Sequence, residues 1–286
     1  MKIIRHSVFA LVVMAVMVAP AFADRFETET KTIDAEGAKT ISLNCEFGAG
    51  SLKIVPEDMA EAARLTVTYD PRRFDYDVDY STRGDRGRLD LESHLRRHRN
   101  YDDDDSKNDW ELALSTRYPT RIDLEVGAAE AEIDLGGLKL SELSLQMGAA
   151  KGTIDFSKPN PERIRELKME IGASSLDVLN IGNANFDYLE FSSGAASTTL
   201  DFRGDFHGDA DVSLDIGIGS ADIILPKGLA VRVRGDGGFF SSVDFHGGDV
   251  EKVRRDVRET PDFAEASDRL TIDLDVSMGS VDIYWK

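Results

Sequence analysis

Residues 122–135 read IDLEVGAAEAEIDL. Apolar residues alternate through Ile122, Leu124, Val126 and Ala128, then alternate in the opposite phase through Ala129, Ala131, Ile133 and Leu135. A period of two is the signature of a strand with one buried face. A phase change at Gly127-Ala128-Ala129 therefore marks a corner, where small residues give the backbone the freedom and room to bend. The segment reads as strand, corner, strand.

The same pattern recurs as LSLQMGAAKGTIDF from Leu143, LKMEIGASSLDVL from Leu167, LEFSSGAASTTLDF from Leu189 and VSLDIGIGSADIIL from Val212. The starts of these five central copies are 21, 24, 22 and 23 residues apart. Outlying copies are ISLNCEFGAGSLKIV from Ile41 and IDLDVSMGSVDIYW from Ile272. A unit with two short strands and no helix cannot bury its own apolar face, but stacked units share a continuous core. The expected fold is all-β: a single-stranded β-solenoid, β-helix-like, of about 22-residue repeats with an N-terminal strand or hairpin excursion. Small corner residues would stack at the strand spacing of about 4.8 Å. A β-sandwich is the competing architecture, because strands every 8–12 residues also suggest one. Even spacing and a corner fixed in place favour the solenoid. Cys45, the only cysteine, shares the phase of Ile41, Leu43 and Phe47, so it is expected inside the core as an inert thiol.

Lys2 and Arg5, the apolar run from Val8 to Ala19, and Ala21-Phe22-Ala23 form an export signal, residues 1–23. No later apolar run approaches the roughly 20 residues of a transmembrane helix, so none is expected after cleavage. The expected location is periplasmic or extracellular. Cleavage removes two cations and no carboxylate, taking the formal charge from −19 to −21. A field of that sign repels nucleic acid and favours cations and basic ligands.

The remaining chain divides into an N-terminal region, residues 24–118, holding the first copy and a charged loop at 84–108, and a repeat region, 119–286. The loop joins Arg96, Arg97 and Arg99 to four aspartates, Asp102 to Asp105, with few apolar anchors. Residues 159–167 have room for one helical turn, and the insertion at 247–268 for a short charged helix. The stretch VRVRGDGGFFSSVDF from Val231 reads as a degenerate copy whose phase change cannot be placed.

Candidate chemistry is sparse. His94 and His98 would share one face of a helix beside Glu92 and the aspartate run, but arginines intervene and a solvated loop is the stronger reading. Asp205, His207, Asp209 and Asp211 alternate along GDFHGDAD, again more simply a loop. More regular is one aspartate after each corner: Asp134, Asp155, Asp177, Asp201 and Asp222. Stacked in register, they would form a ladder of like charges that Ca²⁺ or a basic ligand would relieve. A hydrated acidic face is the plainer reading. No nucleophile elbow, P-loop or dinucleotide fingerprint occurs, and no enzyme activity and no cofactor are expected.

The run WELALSTRYPTRIDLEVGAAEAEIDLGGLKLSELSLQMGAAKGTIDF, together with EFGAGSLKIV, GIGSADIILPKGLAVRVR and MGSVDIYW, resembles the toast-rack family. This is the β-solenoid domain of LiaF-like cell-wall-active antibiotic response proteins and of related candidate adhesins. The resemblance implies a non-enzymatic adaptor of the cell envelope that works through a protein partner in an envelope-stress response. A surface adhesin is the alternative, and a glycan-acting enzyme a more distant one. Members that regulate a sensor kinase carry transmembrane helices ahead of the solenoid, whereas this chain has an export signal. Direct regulation of a kinase in the same membrane is therefore not implied.

Overall fold

The computed structural model describes residues 25–96, 107–235 and 240–286. Residues 1–23, expected to be an export signal, lie outside them, as do His98 and the aspartates 102–105. The N-terminal part holds β1 (Glu27–Ile33), β2 (Thr40–Glu57), β3 (Ala63–Tyr69), β4 (Phe74–Arg83), β5 (Arg86–Leu95) and β6 (Asn108–Ser115). There follow β7 (Pro119–Asp134), β8 (Lys139–Met147), β9 (Lys151–Asp155), β10 (Ile164–Ile171), β11 (Ser175–Leu179), β12 (Phe186–Asp201) and β13 (Asp209–Leu225). The last five are β14 (Ala230–Arg234), β15 (Ser241–His246), β16 (Glu251–Arg254), β17 (Val257–Glu259) and β18 (Arg269–Trp285). The fold is all-β: the 18 strands join in one sheet, and a 3-10 turn at Ile181–Ala184 is the only helical element among the described residues.

The copies pair in parallel, in register. Leu43 lies beside Ile122, Ile122 beside Leu143, Leu143 beside Leu167, Leu167 beside Leu189, Leu189 beside Val212 and Val212 beside Ile272. Equivalent side chains therefore fall in columns, and the inward columns merge into one core running from Ile33 to Trp285. Chain order and spatial order part at the C-terminal end. β18 pairs with β13 on one side and with β14 and β15 on the other, so the final copy slots inside the degenerate one.

Burial corrects the expected corner. Ala128, which the alternation puts in phase with Val126, is exposed, as are the equivalent Ala149 and Met278, and in β7 it is Gly127 and Ala128 that point outward together. Two consecutive outward residues, not two inward ones, carry the strand around an edge of the core. The glycines there are stacked closely. A Cβ on Gly127 would stand 2.3 Å from the carbonyl oxygen of Gly48, one on Gly172 2.7 Å from that of Gly148, and one on Gly217 2.5 Å from that of Gly194.

The excursions differ from expectation. Residues 86–95 of the expected charged loop form β5, which pairs with β2, because Leu89 and Leu91 alternate with polar residues and are fully buried. The insertion at 247–268 contains no α-helix; its charged part is the antiparallel ribbon of β16 and β17. The helical turn falls at 181–184, not 159–167. No helix among the described residues is long and apolar enough to cross a membrane.

At the N-terminal end, β1, β3 and β4 close over the core. Trp110 meets Phe47 and Tyr76 edge to face, at ring centroid distances of 5.3 and 5.9 Å. Glu29 accepts hydrogen bonds from the hydroxyls of Tyr69 and Tyr76. The Asp70 carboxylate has no exposed surface and is held by a two-point contact from Arg72 and a bond from Arg25. Bonding to Arg72 keeps its carboxyl well below the usual range.

Cys45 is fully buried, and its thiol is pushed up to about 12, by burial first and then by the neighbouring Glu46. Because the thiolate is the reactive form, native protein is expected to leave a thiol reagent unreacted and denatured protein to consume one equivalent per chain. Rapid labelling of the native protein would place Cys45 outside the core.

Candidate functional site

On the outward face, two residues ahead of each corner, register brings together Glu92, Glu46, Glu125, Gln146, Glu170, Ser192, Asp215 and Asp275 on successive strands. From β2 to β18 the column crosses seven parallel strand positions, about 29 Å at the usual strand spacing. Beside it lies an open groove of about 620 Å³ whose floor includes Gly48, Gly127, Gly148 and Gly172. The far side of the corner is a row of small exposed residues, Ala128, Ala149, Ala173 and Ala195, lining a shallow depression and continued by the half-exposed Ile218 and Met278.

Many carboxylates elsewhere on the surface are neutralised. Asp90 is bonded by Arg88, Glu142 by Arg121 and Asp273 by Arg234. In the column, Glu170 pairs with Lys168 and Glu92 lies 3.4 Å from His94. Glu46, Glu125, Asp215 and Asp275 have no cationic partner within 4.0 Å among the described residues. Parallel pairing holds these like charges side by side, and any ligand that supplies positive charge relieves the repulsion.

The aspartates after the corner do not make one ladder. Asp134 pairs in register with Asp155, but Asp155 faces Leu179, and the column is acidic again at Asp201. Asp177 and Asp222 belong to the column two residues earlier, where Thr199 separates them. Asp222 then continues through Asp282 to Asp244. Local bonds occupy three of the five. Ser157 Oγ and the Gly136 amide donate to Asp134, Asn180 donates to Asp155, and Arg203 binds the buried Asp201 through two nitrogens. These three fasten the turns that follow the strands.

The histidine arrangements do not converge. His94 sits on β5, a strand, where helical spacing has no meaning, and its Nε2 lies 3.1 Å from Asp77. Asp209 is taken by Arg269, leaving His207 beside Asp205 alone. No group of three or more His, Cys, Asp or Glu side chains among the described residues is placed to hold a metal ion.

The N-terminal domain of toast_rack (DUF2154) matches residues 22–178. The chain belongs to the toast-rack N-terminal domain family. The match ends inside β11, and the toast-rack register continues past it through β12, β13 and β18. Among solved structures, a candidate cell adhesion protein from Clostridium sporogenes ATCC 15579 is 16% identical, aligned over 91% of this chain and 100% of that one, with a TM-score of 0.46. A candidate adhesin from Bacteroides fragilis NCTC 9343 is 8% identical over 91% of this chain and 98% of its own, with a TM-score of 0.34. One from Parabacteroides merdae ATCC 43184 is 12% identical over 91% and 97%, with a TM-score of 0.28. No curated protein matches the chain.

Proposed function

We propose that this toast-rack chain is an exported, non-enzymatic interaction module of the cell envelope. It is built as a β-solenoid whose acidic column is a docking face for a cationic protein partner, in keeping with an adaptor role in envelope stress. The observation that carries the reading is the pairing in register of Glu46 with Glu125, beside the groove, and of Asp215 with Asp275 further along the column, all without neutralising cations among the described residues. Stacking makes such a column periodic and rigid, which suits recognition of an extended charged surface. It suits acid–base chemistry poorly. Glu46 and Glu125 occupy equivalent exposed positions on neighbouring strands, whereas paired catalytic carboxylates need unlike surroundings.

Crosslinking in intact envelopes, combined with fractionation, tests the proposal. Wild-type protein is expected to stay with the envelope and to give a discrete crosslinked partner, and Glu125→Lys combined with Asp215→Lys to reduce that crosslink about tenfold or more. Both side chains are exposed, so the variant should melt as wild type does. A protein that is shed and finds no partner, or a partner indifferent to these charges, overturns it. Retention on the cell exterior with binding to matrix material would select the adhesin alternative instead.

A further inference from the structure

The ribbon of β16 and β17 is out of keeping with the rest of the molecule. Residues 251–256 are all exposed, Val253 by 52%, so β16 presents both of its faces to solvent. The ribbon is rooted by β17, which pairs with β14, and by the guanidinium of Arg258, 4.6 Å from the centre of the Phe245 ring. From Glu251 to Glu259 it carries four cations and three carboxylates, of which Glu259 is bound by Arg232, so the ribbon is net positive in a chain whose formal charge is −19. None of Lys252, Arg254, Arg255 or Arg258 has a carboxylate within 4.0 Å among the described residues.

A charged edge strand blocks sheet-to-sheet pairing, and either sign will do. β4 manages its edge with Asp75, Asp77 and Asp79. Edge protection therefore explains that β16 is charged, but not that its charge is opposite to the rest of the molecule. β16, an edge strand with both faces exposed, buries little apolar surface of its own and gains by lying against another surface.

We infer that this basic ribbon docks on the acidic column of a second copy of the chain. The inference rests on the reading of that column as a docking face, and names one partner for it. Charge complementarity carries it: the ribbon supplies cations without a carboxylate partner and the column carboxylates without a cationic one, the ribbon being rooted on β14 beside the C-terminal end of the column. Register sets Lys252 beside Arg258, while a bulge between Lys252 and Arg254 places Arg254 beside Val257; the Lys252–Arg258 pair, about 5 Å apart, lets flexible cationic side chains reach carboxylates repeating about every 4.8 Å. A long polyanion suits the ribbon less well, because the net field of the whole protein repels it. Ribbon and column are different surfaces, so the contact is head-to-tail and propagates beyond a dimer unless it closes into a ring.

Sedimentation velocity of the full chain across a concentration series, at low and high salt, tests the inference. Wild-type protein is expected to associate at low salt and to dissociate as salt screens the contact. Lys252→Glu with Arg254→Glu is expected to weaken association about tenfold or more, and Glu125→Lys with Asp215→Lys to do the same. Mixing the two variants should restore association, since each then offers what the other lacks. Wild-type protein that is monomeric at low salt, or a ribbon variant that associates as wild type does, overturns self-docking. If monomeric wild type instead binds vesicles containing phosphatidylglycerol through the ribbon, self-docking likewise falls and the ribbon is an anion-binding arm. Loss of the envelope crosslink on reversing the column but not the ribbon would leave the docking face standing while self-docking fails.

Discussion

Gly279→Ala is expected to destabilise the protein by about 3 kcal/mol or more. Two costs coincide there. Gly279 has φ +144°, a conformation that side-chain-bearing residues rarely adopt, at about 1–3 kcal/mol. Its Cβ would also stand 1.9 Å from the carbonyl oxygen of Gly219, its register partner on β13. Because that neighbour is backbone, relief requires the two strands to move apart, which strains the hydrogen bonds on either side. Two further variants separate the terms. Gly228 has φ +87° with nothing within 4 Å of the place a Cβ would take, so Gly228→Ala carries the conformational cost alone, about 1 kcal/mol. At Gly127 the problem is contact with the Gly48 carbonyl, so Gly127→Ala costs about 1–3 kcal/mol of overpacking. Urea denaturation of the three variants should rank them Gly279, Gly127, Gly228. If Gly279→Ala were no worse than Gly228→Ala, the close stacking of corner backbones would be wrong.

The corner was legible in the sequence because a phase change in a period-two pattern is a local property of one strand. Its sense was not. Small residues such as Ala128 and Ala129 carry too little apolar surface for alternation to say which of two neighbours faces in, and Ala128 proves to face out. That the copies pair side by side in one sheet was legible too, yet the placing of β18 between β13 and β14 was not, because sequence order says nothing about which strands a late strand joins. The acidic column shows the same limit from another side. Cys-Glu-Phe-Gly at 45–48, Leu-Glu-Val-Gly at 124–127, Met-Glu-Ile-Gly at 169–172 and Leu-Asp-Ile-Gly at 214–217 repeat one outward carboxylate two residues ahead of the corner glycine. Counting from the corner finds it. Attention to the aspartates after the corner missed it, because loops of unequal length follow them and their spacing from the glycine varies, so register scatters them over two columns.

Trp110→Ala is expected to cost about 3–5 kcal/mol and to concentrate its damage at the N-terminal end. The indole is 1% exposed, packs against Phe47 and Tyr76, and donates from Nε1 to Asn108 Oδ1 at 3.0 Å. Asn108 in turn donates to the carbonyl of Ala49 and to Ser93 Oγ, tying β6 to the corner of β2 and to β5. Removing the indole opens a cavity under β4 and strips Asn108 of its donor partner at once. In the proposed solenoid each layer contacts only its neighbours, so the loss should not spread evenly. Amide hydrogen exchange is the discriminating measurement. Protection should fall in β1 to β7 and persist in β12, β13 and β18, which pair with one another and with β10, β11, β14 and β15. The same variant would then keep Asp215 and Asp275 in register while loosening the layers that hold Glu92, Glu46 and Glu125. A partner that reads the whole column would be lost with the N-terminal layers, and one that reads its C-terminal half would be kept. Uniform loss of protection across all strands would instead mean that the core unfolds as one unit and that its layers are not semi-independent.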